Sequence, residues 1–306
     1  MGHKEHLDDF QINEILDGCE LQLIQYMDNV FTDYRKGVAK MVPKVYLTQP
    51  DGDYRAMPAS WLAFAGIKWV SVYPKNSELN LPTVGGTLIL NDSGTGTKLI
   101  SMDCGVLTAY RTAAVSALAA KYILPRDSVN TISFIGCGVQ SKLHLKMYMS
   151  VFPYLDTVKL YDKNFEQAES YMTDRDIKCI PCKSVQEVCT GSSLITTLTP
   201  STIPILNRSD LDLTSAVLIN AIGADAEGKR ELSDDILHDC QLIVDDYEQA
   251  SHSGEMQYKN DLPYLTLDHI ITDGIANPKK LTVFDSTGVA IEDIAIGRFI
   301  YEKYYG

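Results

Sequence analysis

The stretch that most restricts what this chain can fold into is Thr131-Ile-Ser-Phe-Ile-Gly-Cys-Gly-Val-Gln-Ser141, with Val158-Lys-Leu-Tyr-Asp162 following it. A short β-rich apolar run from Ile132 to Ile135 ends in Gly136-x-Gly138. A helix-compatible segment then carries Leu143, Leu145 and Met147, and a second apolar strand closes on an acid. Strand, glycine turn, helix, strand and acid in that order describe a dinucleotide-binding unit. Gly136 permits the tight turn, and Gly138 lets the backbone approach a pyrophosphate. The helix N-terminus turns its amides and positive dipole end toward that group. Asp162 is placed to accept a hydrogen bond from an adenosine ribose 2′-hydroxyl and to repel a 2′-phosphate, which favours NAD over NADP. The last motif position holds Ser141 in place of glycine, still small enough for close helix–strand packing. On these residues alone an ordinary glycine-rich βα turn stays open, and Asp162 weighs most against it.

Around this unit, short strands at Ile132–Ile135, Val158–Tyr161, Leu194–Thr197, Val217–Asn220, Leu242–Val244 and Leu281–Phe284 alternate with helical segments. The helices fall near 139–151, 164–175, 184–189, 208–212, 233–238 and 246–250. Such alternation predicts a doubly wound, mostly parallel sheet. Upstream, Ile12, Ile15, Leu16, Leu23, Ile24, Met27 and Val30 recur at helical spacing across 8–36, interrupted by Gly18. Val42–Leu47 and Tyr54–Met57 read as a hairpin turning through Pro50–Asp53. Ala65–Val72, Thr87–Leu90 and Leu99–Met102 add strands, with a turn at Asp92–Gly96, and an Ala-rich helix runs from Leu107 to Ile123. A terminal helix over Val289–Tyr304 is expected to pack back on this mainly antiparallel region. The predicted class is α/β, with a Rossmann domain over 123–288 and a discontinuous α+β domain made of 1–122 and 289–306.

Composition narrows the function. With 45% hydrophobic and 22% charged residues, the 306-residue chain reads as soluble and globular. A net charge of −13 argues against non-specific binding to nucleic acid or anionic membranes. No basic, apolar leader and no membrane-spanning run is read, and the seven scattered cysteines fit a reducing cytoplasm. Cys179-Ile-Pro-Cys182 is a lone CxxC without nearby histidines, read as two thiols around a strand end, and no metal is expected.

Against that acidic background, Lys40, Lys44, Arg55, Lys68 and Lys75 face only Asp51 and Asp53 between positions 40 and 75, a local charge of +3. An acidic protein that takes an anionic ligand needs such a focus. Lys44, Arg55 and Lys68 lie in strand-like apolar context, and with Arg111 they suggest a carboxylate clamp, Arg as the fork and Lys as a point charge. For any one of them taken alone, a solvent-facing strand position is the better reading. Ile219-Asn-Ala-Ile-Gly-Ala-Asp225 ends a strand in a small-residue loop, which puts Asp225 in the ligand crevice of a parallel sheet as an acid/base candidate. Lys229 would touch cofactor phosphate or ribose, and helix capping or a turn remains the other reading of Asp225. Phe284-Asp-Ser-Thr-Gly288 leaves the same sheet edge, where Ser286 or Thr287 would meet a nicotinamide amide or form a plain turn.

Taken together, Pro43–Tyr46, Arg55-Ala-Met-Pro-Ala59, Gly66–Val70, Pro82-Thr83, Thr108–Ala114, Phe134–Gly138 and Asn220–Asp225 resemble one family. Glu231-Leu232, Val244–Asp246, Gly254-Glu255 and Phe284–Gly288 continue the series. The family is the ornithine cyclodeaminase/mu-crystallin family, and within it the archaeal-type alanine dehydrogenases are most similar. The resemblance implies a homodimer in which the α+β domain binds substrate and dimerises while the Rossmann domain holds NAD. It implies that Lys44, Arg55 and Arg111 hold a substrate carboxylate, with Lys68 and Asp225 catalytic. It further implies Thr83, Gly136, Gly138, Val139, Gln140, Asp162, Thr199, Ile222, Lys229 and Ser286 around the cofactor. Ornithine-cyclising relatives tend to carry an acid where this chain has Arg55, which favours a short 2-amino acid, alanine first, or a second carboxylate. Ornithine cyclodeaminase or ketimine reductase chemistry is the nearer alternative, and a non-enzymatic binder of the mu-crystallin kind the more distant one.

Overall fold

Two kinds of sheet follow from two kinds of strand pattern. In the computed structural model, which describes residues 6–173, 176–276 and 278–306, the chain divides into two units, Met1–Val115 with Val289–Gly306, and Ser116–Gly288. The division falls within helix α3 (Gly105–Ile123).

The first unit begins with β1 (His6–Leu7) and α1 (Asp9–Leu16). Asp8 caps α1 through a reciprocal pair with Gln11, each side chain accepting from the other's backbone amide. Gly18 takes φ +77° and turns the chain into α2 (Glu20–Arg35), so the helical periodicity over 8–36 folds as two helices. Strands β2 (Lys40–Met41), β3 (Val45–Gln49), β4 (Gly52–Trp61), β5 (Phe64–Val72), β6 (Val84–Asp92) and β7 (Lys98–Asp103) follow. The sheet runs β1-β7-β6-β5-β4-β2, with β3 also paired to β4, and only β1–β7 is parallel. Pro58 has no N–H to give a ladder. It falls between the residues of β4 paired to β3, which end at Ala56, and those paired to β2, which start at Ala59. On one face, Arg55, Met57, Ala59, Trp61, Lys68, Val70, Leu88 and Leu90 are buried. There α10 (Ala290–Tyr305) packs on α2 and across β4, β5 and β6. The opposite face leaves Val45, Leu47 and Trp69 exposed, with Tyr54 stacked on Trp69 at 5.4 Å.

The second unit holds β8 (Thr131–Ile135), α4 (Val139–Val151), β9 (Thr157–Tyr161), α5 (Phe165–Glu169), β10 (Lys178–Pro181) and α6 (Val185–Cys189). It continues through β11 (Leu194–Thr197), β12 (Val217–Ala221), α7 (Asp234–Asp239), β13 (Gln241–Val244) and α8 (Tyr247–Ser253). It closes with β14 (Tyr264–Thr266), α9 (Leu267–Asp273) and β15 (Leu281–Asp285). Every pair in the order β10-β9-β8-β11-β12-β15-β13-β14 is parallel, and the order reverses between β8 and β11. This is the topological switch of a Rossmann sheet, with β13 and β14 extending one edge.

Some expectations needed correction. The helix expected near 164–175 ends at Glu169, because Ser170 caps it; positions 174–175 of that expectation lie outside the described residues. The segment expected as a helix at 208–212 is a 3-10 turn, Arg208–Asp210, closed by a box between Asn207 and Asp210. The first hairpin strand starts at Val45 instead of Val42, and the second runs on to Trp61. The short strands β1, β2 and β14 and the helix α9 lie outside those expectations, and β10 is the strand whose end was read at Cys179–Cys182.

Candidate active site

The glycine turn after β8 is built for a close approach. Gly136 holds φ +103°, and a Cβ there would stand 2.9 Å from the Leu198 carbonyl oxygen and 3.2 Å from Thr199 Cγ2. Conformation and space both demand glycine. Gly138 is the N-cap of α4 with no side-chain capping bond, and nothing lies within 4 Å of where its Cβ would be. Asp162, just past β9, accepts from the backbone amide of Cys137 at 2.9 Å and from that of Asn164 at 2.9 Å. Its carboxylate is thereby pinned beside the turn. Ser141 is fully buried and its hydroxyl donates to the Gly138 carbonyl at 2.7 Å, so the serine that replaces a motif glycine also ties the first turn of α4. Val139 is exposed and Gln140 half-buried at the same helix start. An open backbone turn, a helix start without a side-chain cap and an anchored acid fit a dinucleotide's pyrophosphate and ribose.

Further along the same sheet edge, a buried acid ties two loops. Glu231 Oε1 accepts from the backbone amide and the hydroxyl of Thr199, each at 2.7 Å. Its Oε2 accepts from the Thr197 hydroxyl at 2.6 Å and the Gly223 amide at 2.9 Å. Burial raises the Glu231 pKa while those donors pull it down. The amides of Glu231 and Leu232 donate in turn to Glu255 at 2.6 and 3.2 Å. Burial, with the nearby Asp285, pushes Glu255 up to about 8. Asp285 accepts from the Met256 amide at 2.9 Å and is itself pushed up to about 7 by burial.

In the loop after β12, Ile222 is buried and Lys229 reaches Asp225 at 2.5 Å. The acid/base candidate thus stands in a half-exposed ion pair. After β15, Thr287 is committed to Asp245 at 3.0 Å and to the Gln249 amide at 2.5 Å, whereas the Ser286 hydroxyl reaches Asp245 only at 3.4 Å. Both residues are buried.

In the first unit, the strand pairing sets Met57 opposite Lys68 and Arg55 opposite Val70, so Arg55 and Lys68 share the face under α10. Lys68, 1% exposed, donates to Asp293 Oδ1 at 2.7 Å and to the Thr108 hydroxyl at 3.5 Å. Arg111, one turn along α3 from Thr108, donates to Glu292 at 2.7 Å, and its Nε is 3.4 Å from Asp293 Oδ1. Burial lowers the Lys68 pKa, with Asp293 acting in the other direction. Arg55 donates to Asp53 at 2.7 Å and lies over the Tyr46 ring at 5.4 Å. Lys44, half-buried, immediately precedes β3, and Thr83 is exposed just before β6, its carbonyl accepting from the Tyr73 amide at 2.8 Å. The structure therefore brings Lys68 and Arg111 together on one acid, with Arg55 on the same sheet face. Both acids within the +3 stretch of residues 40–75 are paired, Asp51 with Lys75 and Asp53 with Arg55, and Lys68 takes its partner, Asp293, from outside that stretch.

Residues 11–306 match the model of the ornithine cyclodeaminase/mu-crystallin family. The chain belongs to that family. Within the family it is 38% identical over 292 residues to an alanine dehydrogenase of Archaeoglobus fulgidus, covering 90% of this chain and 88% of that protein. It is 33% identical over 294 residues to an ornithine cyclodeaminase of Brucella abortus, covering 94% and 81%. Among solved structures, an archaeal alanine dehydrogenase dimer with bound NAD superposes with a TM-score of 0.91 at 34% identity, over 99% of this chain and 96% of that one.

Glu292 and Asp293, the acids that hold Lys68 and Arg111, lie outside every motif read from the sequence, and Glu231 enters there only within the Glu231-Leu232 motif. A signal existed for the pair. Two adjacent acids interrupt the apolar run Gly288-Val-Ala-Ile-Glu-Asp-Ile-Ala-Ile296, and acids on a helix face otherwise meant for burial need cationic partners. Cys179 lies within β10 and Cys182 just after it, and burial raises both thiols, which is unlike a reactive thiolate. Among the described residues no group of three or more His, Cys, Asp or Glu side chains could hold a metal, and no helix is long and apolar enough to cross a membrane.

Proposed function

We propose that this chain is an NAD-dependent dehydrogenase of a short L-2-amino acid, alanine first, interconverting it with the 2-keto acid and ammonia through an imine. Family membership supports the broader statement, NAD-dependent oxidoreductase or cyclodeaminase chemistry on amino or imino acids. The glycine turn with its anchored Asp162 supports NAD, since a carboxylate at that place suits a ribose hydroxyl better than a phosphate.

Arg55 is the observation that carries the dehydrogenase reading over the cyclising one. A buried guanidinium, oriented by Asp53, stands where cyclising relatives tend to hold an acid. A distal ammonium brought within ~4 Å would be repelled by roughly 4 kcal/mol at an effective dielectric near 20, less whatever Asp53 offsets. A carboxylate is attracted there instead.

Bound NAD supplies the two-electron acceptor for the Cα hydride. The residues of this chain do the rest. Lys44, Arg55 and Arg111 grip the carboxylate, Arg55 and Arg111 being held in place by Asp53 and Glu292. Lys68, its pKa lowered by burial, gives up its proton more readily than an exposed lysine and polarises the carbinolamine oxygen formed when water adds to the imine. Asp225 moves protons between that water and the departing amine, with Lys229 holding its carboxylate in place at 2.5 Å.

A panel of amino acids assayed with NAD tests this. NADH formation is expected with alanine and absent with ornithine. Ammonia release from ornithine without net NADH would instead establish the cyclodeaminase reading, and no turnover with any amino or imino acid would leave the binder. The exposed apolar face bearing Val45, Leu47 and Trp69 supports a homodimer built on it, and sedimentation as a monomer at micromolar concentration would remove that part.

A further inference from the structure

The two halves of a Rossmann crevice are held by different residues here, and one of them is not a ligand residue. The loop after β11 carries Thr199 and the loop after β12 carries Asp225. A Cβ on Gly223 would stand 2.2 Å from the Thr199 carbonyl oxygen and 2.6 Å from the Glu231 carboxyl carbon, so the two loops and the acid are in direct contact. On its other flank the β11 loop touches the glycine turn, through Leu198 against Gly136. We infer that Glu231 is a positioning residue for the nicotinamide half of the crevice, setting the loops that carry Thr199 and Asp225 without itself touching cofactor or substrate. This rests on the dinucleotide reading above.

The donor set makes the role specific to a carboxylate. Each oxygen of Glu231 faces one backbone amide, Thr199 N at Oε1 and Gly223 N at Oε2, besides a threonine hydroxyl. Hydroxyls can turn to accept, but backbone amides cannot. An amide side chain at this position would therefore set its NH2 against an N–H whichever way it lay. Glu231 is itself immobilised from behind: its own amide donates to Glu255, and its carbonyl accepts from Ile205 and Leu206 at 2.8 and 3.1 Å. The adenosine half is anchored separately, by the Asp162 bonds to Cys137 and Asn164.

The test compares NADH with ADP, which carries the adenosine ribose and a pyrophosphate but no nicotinamide half, as ligands of the full-length wild type and Glu231→Gln. For the variant, ADP affinity is expected to stay within about threefold while NADH binds at least about tenfold more weakly, the scale of a charge-assisted hydrogen bond left unmade. Turnover should fall by more than KM for the amino acid rises. Equal weakening of both ligands, or no change in either, overturns the inference while leaving the dinucleotide reading intact. Failure of the wild type to bind either ligand overturns the reading and the inference together. Should Glu231→Gln not fold, as judged by its thermal melt, Glu231→Asp keeps the charge, draws the carboxylate back by one methylene, and is expected to give the same split.

Discussion

In the proposed mechanism Arg55 and Asp225 carry opposite kinds of work, and truncating each should show a different kinetic signature. Arg55→Ala removes a guanidinium that Asp53 orients at 2.7 Å, so KM for the keto acid is expected to rise about tenfold or more with a smaller change in kcat. An unchanged KM takes Arg55 out of the clamp. Asp225→Asn keeps the shape of the loop but cannot carry a proton, and turnover should drop by about a hundredfold or more while NADH affinity moves little. Full turnover in stopped assays at saturating substrate removes Asp225 from the chemistry. These residues were legible in the sequence because charges in strand-like or strand-end context call for an explanation. The acids that pair with Lys68 and Arg111 were not. Asp293 lies 225 positions from Lys68 and Glu292 lies 181 from Arg111, and no local pattern links residues so far apart. Thr287 shows the reverse, a strand-end hydroxyl that looked available yet is spent on Asp245 and Gln249.

Elements were legible in proportion to their burial. β8, β11, β12 and β15 are central and nearly all their residues are buried, so each reads as a short apolar run. β10 and β14 lie at the two edges of that sheet, one ending in Pro181 and the other only three residues long, and neither carries such a run. The terminal helix was legible from its apolar repeat, but how closely it lies on its sheet was not. Gly297 on α10 decides that distance: a Cβ there would stand 2.5 Å from Leu88 Cδ2 and 3.2 Å from Leu90 Cδ1. Alanine would gain about 1 kcal/mol of helix propensity. It would also force the helix off β6 or the leucines off their rotamers, at about 1–3 kcal/mol. Gly297→Ala is therefore expected to be destabilising on balance, by up to about 2 kcal/mol in denaturant melts. A more stable variant would mean that the leucines yield freely.

On the scale of the molecule, an excess of 13 negative charges hides how differently its acids behave. Most are solvated, but Glu231, Glu255 and Asp285 sit wholly inside the second unit, along one edge of its sheet. Asp285 closes an apolar strand, Glu255 follows a glycine and Glu231 stands between Arg230 and Leu232, so composition could not distinguish them from ordinary loop acids. Their effect should appear as a pH dependence. In the folded chain Glu255 is pushed up to about 8 and Asp285 to about 7, against 4.5 and 3.8 when free. Between about pH 4 and 8 these two groups therefore hold protons in the native state that the unfolded state releases, and their contribution to the unfolding free energy falls as pH rises through that window. The stability these two groups contribute is complete below their free values and is lost as pH passes their folded ones, on the order of a few kcal/mol for the pair. His144 works in the other direction at lower pH, because burial lowers it to about 4 and folding then excludes a proton. It contributes equally to any variant that leaves α4 alone, so a difference between two proteins cancels it. Glu255→Gln removes one of the two rising acids, leaves no charge to be buried, and relieves Asp285 of a negative neighbour. Measured from pH 5 to pH 8.5, the Tm of the wild type should decline more steeply than that of Glu255→Gln, with the variant gaining on the wild type as pH rises. Parallel curves would mean that Glu255 is ionised throughout, and that the buried edge holds its charges without storing a proton.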